Sequence, residues 1–174
     1  IYPDSGSIRK MLDHAYKALA EAEKDGDGKI HIFTPEKTIS LYDELRLHND
    51  MQSALSNNEF EVYYQPIIQV GNNEVVAAEA LIRWKHPQYG LIPPDVFISL
   101  MEKTGFIVKL GQYVLEEVLK QQKRWGIFKF KQIEVSINVS MVEINTNEFV
   151  EFVERKLGQH QINPKLLKFE ITEG

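Results

Sequence analysis

Two runs of alternating side-chain character, FEVYYQPI (60–67) and EVVAAEALIRW (74–84), read as strands, and only six residues lie between them. A crossover joining parallel strands needs roughly a dozen residues or more. The pair is therefore predicted to be an antiparallel hairpin with Gly71, Asn72 and Asn73 at its tip. If the turn centres near Asn72, Gln65 lies opposite Glu79. Downstream the periodicity alternates. Helices are predicted over about 94–103 and 107–125, a strand over 133–140, a helix over 148–157 and a strand over 166–172. In the second helix Leu110, Val114, Val118 and Leu119 point inward. Strands alternating with helices after the hairpin predict parallel strands joined by helical crossovers. The fold class is α/β.

The residues before this block follow other patterns. Ile8, Met11, Leu12, Ala15, Leu19 and Ala22 recur at helical spacing, so a helix is predicted over 7–24, followed by a short strand in KIHIF. A second helix, over about 37–57, has a stripe of Ile39, Leu41, Leu45, Leu47, Met51 and Leu55. Three parts are expected: 1–36, a linker helix over 37–58, and 59–174. The acidic turn EKDGDGKI imitates a calcium loop, but the position of its closing glutamate is Thr34.

Composition excludes several classes. A net charge of −5 argues against a surface that coats DNA or RNA. The absence of cysteine removes disulfide frameworks and zinc–thiolate sites, and the five histidines have no metal-binding spacing. No apolar run approaches the ~20 residues that cross a bilayer. The chain starts without a methionine or a signal-peptide pattern. It is expected to be part of a longer cytoplasmic protein, whose other regions could hold a membrane anchor.

The stretch EALIRWKHP (79–87) raises the functional question, because Glu79 and Arg83 share one face of a strand that otherwise reads as buried. The later strands repeat the conflict. In IEVSINVS, Ile133, Val135, Ile137 and Val139 form one face and Glu134, Ser136, Asn138 and Ser140 the other. In LLKFEIT, Lys168, Glu170 and Thr172 oppose Leu167, Phe169 and Ile171. Such a polar face is either the wetted side of a sheet or the wall of a site. Polar groups late in parallel strands fit the C-terminal rim of a barrel, where active sites are built. Glu79, Asn138 and Glu170 offer the oxygen donors that Mg²⁺ or a similar hard cation takes.

From about residue 59 the sequence resembles the EAL domain, a phosphodiesterase domain for cyclic di-GMP. The resemblance rests on YYQPI, EALIRWKHPQYGLIPPDVFI, SINVS and FEITEG, four motifs in order. It implies a TIM-barrel-like (β/α)₈ fold with an antiparallel first strand, of which only about the first half is present. A complete barrel takes about 250 residues. The resemblance also implies roles. Glu79, Asn138 and Glu170 would ligate Mg²⁺ or Mn²⁺, and Glu173 would brace a loop beside the site. Arg83 would hold a phosphate and Gln65 would contact the ligand. Gly174 stands where a serine is common. The reaction implied is hydrolysis of cyclic di-GMP to linear pGpG. The remaining ligands and the candidate base would lie beyond Gly174, so this chain alone is expected not to turn over substrate. Its open strand edge is expected to favour self-association, and the parent a homodimer. The alternative is a receptor or regulatory domain that binds cyclic di-GMP without cleaving it. AYKALAEAEKDGDGKIHIF resembles the C-terminal tail of a GGDEF domain, without that domain's catalytic motif.

Overall fold

The computed structural model describes residues 41–128 and 132–171, together with Leu12, Ala15, Tyr16, Ala18, Leu19 and Ala22, all six of them helical. The expected strand in KIHIF, the acidic turn, the first residues of the linker helix, and Thr172, Glu173 and Gly174 lie outside the described residues. The chain forms two compact units, 1–47 and 48–174. Helix α1 (Leu41–Ser56) runs through the boundary between them.

The second unit holds one sheet. Strands β1 (Phe60–Ile68) and β2 (Val75–His86) form the expected antiparallel hairpin, with Gln65 paired to Glu79. At the tip, Gly71 and Asn73 have positive φ (112° and 57°), the region Gly and Asn enter most readily. The Asn72 side chain accepts from the Glu74 amide at 3.1 Å and closes the turn. A register shift between Ile67 and Ile68 marks a bulge there.

Strands β4 (Glu134–Val139) and β5 (Leu167–Ile171) add to β2 in parallel, giving the order β1-β2-β4-β5. Helices α2 (Pro94–Thr104) and α3 (Ile107–Ile127) form the crossover from β2 to β4, and α5 (Phe149–His160) the crossover from β4 to β5. A proline starts α2, and Gly105 ends it at φ 73°, so α3 can begin two residues later. The sheet and its parallel crossovers have the architecture of part of a TIM-like barrel.

Three details differ from the sequence expectation. β2 does not stop at Trp84 but continues to His86, because a short strand β3 (Gly90–Ile92) folds back and pairs with it. Pro87 had disguised this hairpin as a loop. The strand predicted over 133–140 ends at Val139, and Ser140 starts a four-residue helix, α4 (Met141–Ile144). α3 and α5 each run past their predicted ends, to Ile127 and His160.

The helices cover one face of the sheet. Phe60, Ala78, Ala80, Trp84, Val135, Ile137 and Val139 are buried there, against Phe97 and Met101 of α2 and Leu110, Val118 and Leu119 of α3. Trp84 packs on Phe60 at 5.2 Å and edge-on to Phe97 at 5.6 Å. Its indole N–H donates to Glu59 at 3.0 Å, so its polar atom is satisfied. Buried Gln122 donates to the carbonyls of Ile133 and Leu166, tying together the starts of β4 and β5. No helix among the described residues is long and apolar enough to cross a membrane.

Candidate active site

Strand pairing sets the order of the polar face. Gln65, Glu79, Ser136 and Lys168 stand in one row across β1, β2, β4 and β5. One step toward the C-terminal ends of β4 and β5, Asn138 pairs with Glu170. The expectation that all the polar groups lie late in their strands is met by Asn138 and Glu170 but not by Glu79. Glu79 is the fifth residue of the long strand β2 and is level with Ser136, one row below Asn138.

Side chains bridge the rows. Asn138 Nδ2 donates to Glu79 Oε1 at 2.7 Å, diagonally from β4 to β2. Lys168 Nζ donates to Glu170 Oε1 at 2.9 Å. The ammonium beside it holds the Glu170 carboxyl below the usual carboxylate range, so Glu170 is anionic at neutral pH. Ser136 is buried in the lower row. Arg83 lies further along β2, opposite Glu61 on β1, and its Nη1 donates to the Ile82 carbonyl at 2.8 Å. Glu61 is engaged elsewhere, accepting from Lys85 Nζ at 2.7 Å. Glu79, Asn138 and Glu170 therefore come together, Gln65 neighbours them, and Arg83 stands apart on the same face.

The donor set suits a hard divalent cation. It offers two carboxylates and the amide oxygen of Asn138, whose nitrogen is already turned to Glu79. No group of three His, Cys, Asp or Glu side chains forms a metal cluster among the described residues. Asn138 would thus have to be the third ligand. Glu79 and Glu170 stand on β2 and β5, on either side of β4, so Asn138 lies between the two carboxylates.

Beside this cluster, where β4 ends and β2 runs on, a cavity of about 460 Å³ opens under α2 and α3. Leu81, Asp95, Ile98, Glu102, Asn138 and Glu143 are among its lining residues. The sequence reading missed Asp95 and Glu143. The signal for Glu143 was present, since Ser140 and Glu143 have the S-x-x-E spacing of a capping box. Both of its bonds are made. The Ser140 hydroxyl accepts from the Val142 amide at 3.1 Å, and Glu143 Oε2 accepts from the Ser140 amide at 2.9 Å. Burial pushes the Glu143 carboxyl up to about 7, the Ser140 amide opposes this, and nearby Glu102 adds to it.

The sequence matches the EAL domain family over residues 48–174. It is 32% identical, over all of its length, to the bifunctional diguanylate cyclase/cyclic di-GMP phosphodiesterase MucR of Pseudomonas aeruginosa, covering 26% of that protein. It is 33% identical over 99% of its length to the cyclic di-GMP phosphodiesterase PdeR of Escherichia coli, again covering 26%. The chain thus spans about a quarter of the length of these relatives. Among solved structures, the PaMucR phosphodiesterase in complex with c-di-GMP aligns with TM-score 0.71 and 35% identity, over 74% of this chain and 52% of that one. The EAL enzyme Bd1971, in its form bound to cAMP and cyclic di-GMP, aligns with TM-score 0.69 and 26% identity, over 95% of this chain and 44% of that one. By sequence and by fold, this chain belongs to the EAL domain family.

Proposed function

We propose that this chain supplies the front half of a metal-dependent site that hydrolyses cyclic di-GMP to linear pGpG. The observation that carries the reading is the juxtaposition of Glu79, Asn138 and Glu170. The Asn138–Glu79 hydrogen bond is 2.7 Å long and Asn138 pairs with Glu170 across the sheet. The phosphodiesterase relatives and the c-di-GMP complex of a similar structure support the substrate.

In this reading Glu79, Glu170 and the Asn138 carbonyl hold Mg²⁺ or Mn²⁺. When bound, the cation would supply Lewis-acid stabilisation of the phosphoryl oxygens and a more acidic water. The protein's residues do the rest. Arg83 is a permanent cation on the same face, with a planar fork suited to phosphate. Gln65, in the row of Glu79, offers both a donor and an acceptor to the ligand. The cavity beside Asn138 takes a guanine. Leu81 and Ile98 give it apolar walls, and Asp95 gives it a carboxylate that can accept from the N–H edge of the base. For Glu173 the proposal keeps the role that the family resemblance implies, a brace for a loop beside the site. The chain alone does not turn over substrate in this reading, because it contributes only about half of a barrel's strands.

The test is cleavage of cyclic di-GMP, with Mg²⁺ or Mn²⁺, by a protein that carries these residues within a complete barrel. Linear dinucleotide should form, and Glu79→Ala and Asn138→Ala should each lower the rate at least ~100-fold, the scale of losing a ligand or its support. Tight binding without product in the unmutated protein would replace the enzyme with a receptor.

A further inference from the structure

We propose that Glu143 is a positioning residue for Asn138, holding the turn from β4 into α4 in a shape that depends on the charge of its carboxyl. The proposal rests on the reading of Asn138 as a ligand residue, and the experiment below separates the two.

The geometry comes first. Ser140 is two residues beyond Asn138 and is the N-cap of α4. Its amide is held by Glu143 Oε2 at 2.9 Å, and its hydroxyl holds the Val142 amide. A four-residue helix has too few internal bonds to fix its own start. Asn138 is paired to β5 in the sheet, and the direction in which β4 leaves the sheet just beyond it is held by this reciprocal cap. The Glu143 carboxyl is not a solvated helix cap, for the residue is only 6% exposed. α3 passes over it at Gly111, so closely that a Cβ at that position would overlap Glu143 Oε1. A glycine in the middle of a 21-residue helix costs helix stability, and here the close approach explains it. Asn138 and Glu143 also line the same cavity, so a shift of one reshapes the wall that the other completes.

The electrostatics make the device responsive near neutral pH. Glu102 on α2 is the charged group that acts on Glu143, and Asp95 on the same helix also lines the cavity they share. α3 presents Gly111, which has no charge, and β4 presents the Ser140 amide. Glu148, just before α5, shares a smaller cavity on the other side. No cation is among the groups acting on Glu143, so burial and Glu102 leave its carboxyl close to its midpoint at about 7. When ionised it accepts the Ser140 amide strongly. When protonated it accepts weakly and gains a proton that needs its own acceptor.

The experiment follows backbone amides of the 174-residue chain by ¹H–¹⁵N NMR from pH 5 to 8.5, for the unmutated protein, Glu143→Gln and Gly111→Ala. The amides of Asn138, Ser140 and Val142 should titrate together with a midpoint near 7. They should be flat in Glu143→Gln, which keeps an acceptor but cannot ionise. In Gly111→Ala they should be displaced at every pH, which tests the contact even if the glutamine variant folds poorly. Mn²⁺ affinity, measured in parallel, should change several-fold between pH 6 and 8 in the unmutated protein more than in Glu143→Gln. Absence of the titration, or its persistence in Glu143→Gln, overturns the positioning role. A titration abolished by Glu143→Gln but with identical Mn²⁺ profiles confirms that Glu143 shapes the turn and overturns Asn138 as a ligand.

Discussion

Trp84 and Glu79 are five residues apart on β2 and face opposite sides of the sheet. Trp84 is fully buried among Phe60 and Phe97, while Glu79 is half-buried and holds Asn138. The side of Trp84 is organised by contact. Its aromatic rings meet within 6 Å, and the indole N–H of Trp84 has its acceptor in Glu59. The side of Glu79 is organised by charge, with carboxylates, amides and cations, Lys85 and Lys168 among them, spaced by strand register. The comparison teaches that stability and chemistry have been given separate faces of the same strands. The side chains that hold the fold are not those that are proposed to react.

The largest expected effect breaks this division where it is strongest. Trp84→Ala should cost about 3–5 kcal/mol, the loss of a large buried aromatic plus the cavity left behind. Glu79→Gln should cost no more than about 1 kcal/mol, since one hydrogen bond between partly exposed groups is at stake. Urea unfolding of both variants decides it. Similar losses from the two would mean that the polar face carries the fold as well.

Glu143 sharpens the comparison, because it is a chemical group placed on the packing side. Its folded-state value is raised from 4.5 to about 7. A raised carboxyl favours the protonated fold, so its contribution to stability is full below the ordinary value and is lost as pH rises through about 7. The loss is on the order of 3 kcal/mol, from the difference of about 2.5 between these values at ~1.4 kcal/mol per pH unit. Denaturation at pH 5 and pH 8 should show it in the unmutated protein, and Glu143→Gln should remove most of the difference. An equal difference in both proteins would mean that other groups cause it.

Much of this arrangement could be read from the residues. The six-residue spacer fixed the hairpin, and the turn centre placed Gln65 opposite Glu79, as the register confirms. Alternation exposed the polar rows, and helical periodicity named the inward residues of α3. What stayed hidden depended on tertiary contact. The level of Glu79 relative to Asn138 follows from which stretch of β2 meets β4, and no local pattern encodes that. β3 was hidden by Pro87, and α4 by its shortness. Asp95 is an acid in the first turn of α2, a common place for one, and only the cavity beside it sets it apart.

A smaller effect tests where α1 meets the sheet. His86 is buried at the end of β2, and its Nδ1 accepts from the amides of Gln88 and Tyr89 at 3.1 and 3.3 Å. Nε2 therefore carries the proton and donates it to Asp50 on α1 at 3.2 Å. Asp50 is half-exposed, so Asp50→Ala should cost only about 1 kcal/mol. His86→Ala also leaves the turn amides without an acceptor, and it should cost more. A urea series that ranked the two the other way would show that the hydrogen bond to Asp50, rather than the turn, is what His86 secures.

The smallest effect lies on the polar face and concerns Lys168 and Glu170. Both are solvent-accessible, so their pairing adds little to stability. It should nevertheless be visible in titration. The Lys168 ammonium, through its hydrogen bond, lowers the Glu170 carboxyl below its ordinary value. A lowered carboxyl gives its small contribution above the ordinary value and loses it as pH falls. Lys168→Met removes the ammonium while keeping most of the side chain's bulk, so the Glu170 midpoint should rise toward the usual carboxylate range. Carbon-13 shifts of the glutamate carboxyls would follow this directly. The same substitution leaves Glu170 free of its internal cation, and Mn²⁺ should then bind more tightly. A Glu170 midpoint that does not move would mean that the lysine and the carboxylate are near each other without being paired. The polar face would then lack the charge order that separates it from the packed one.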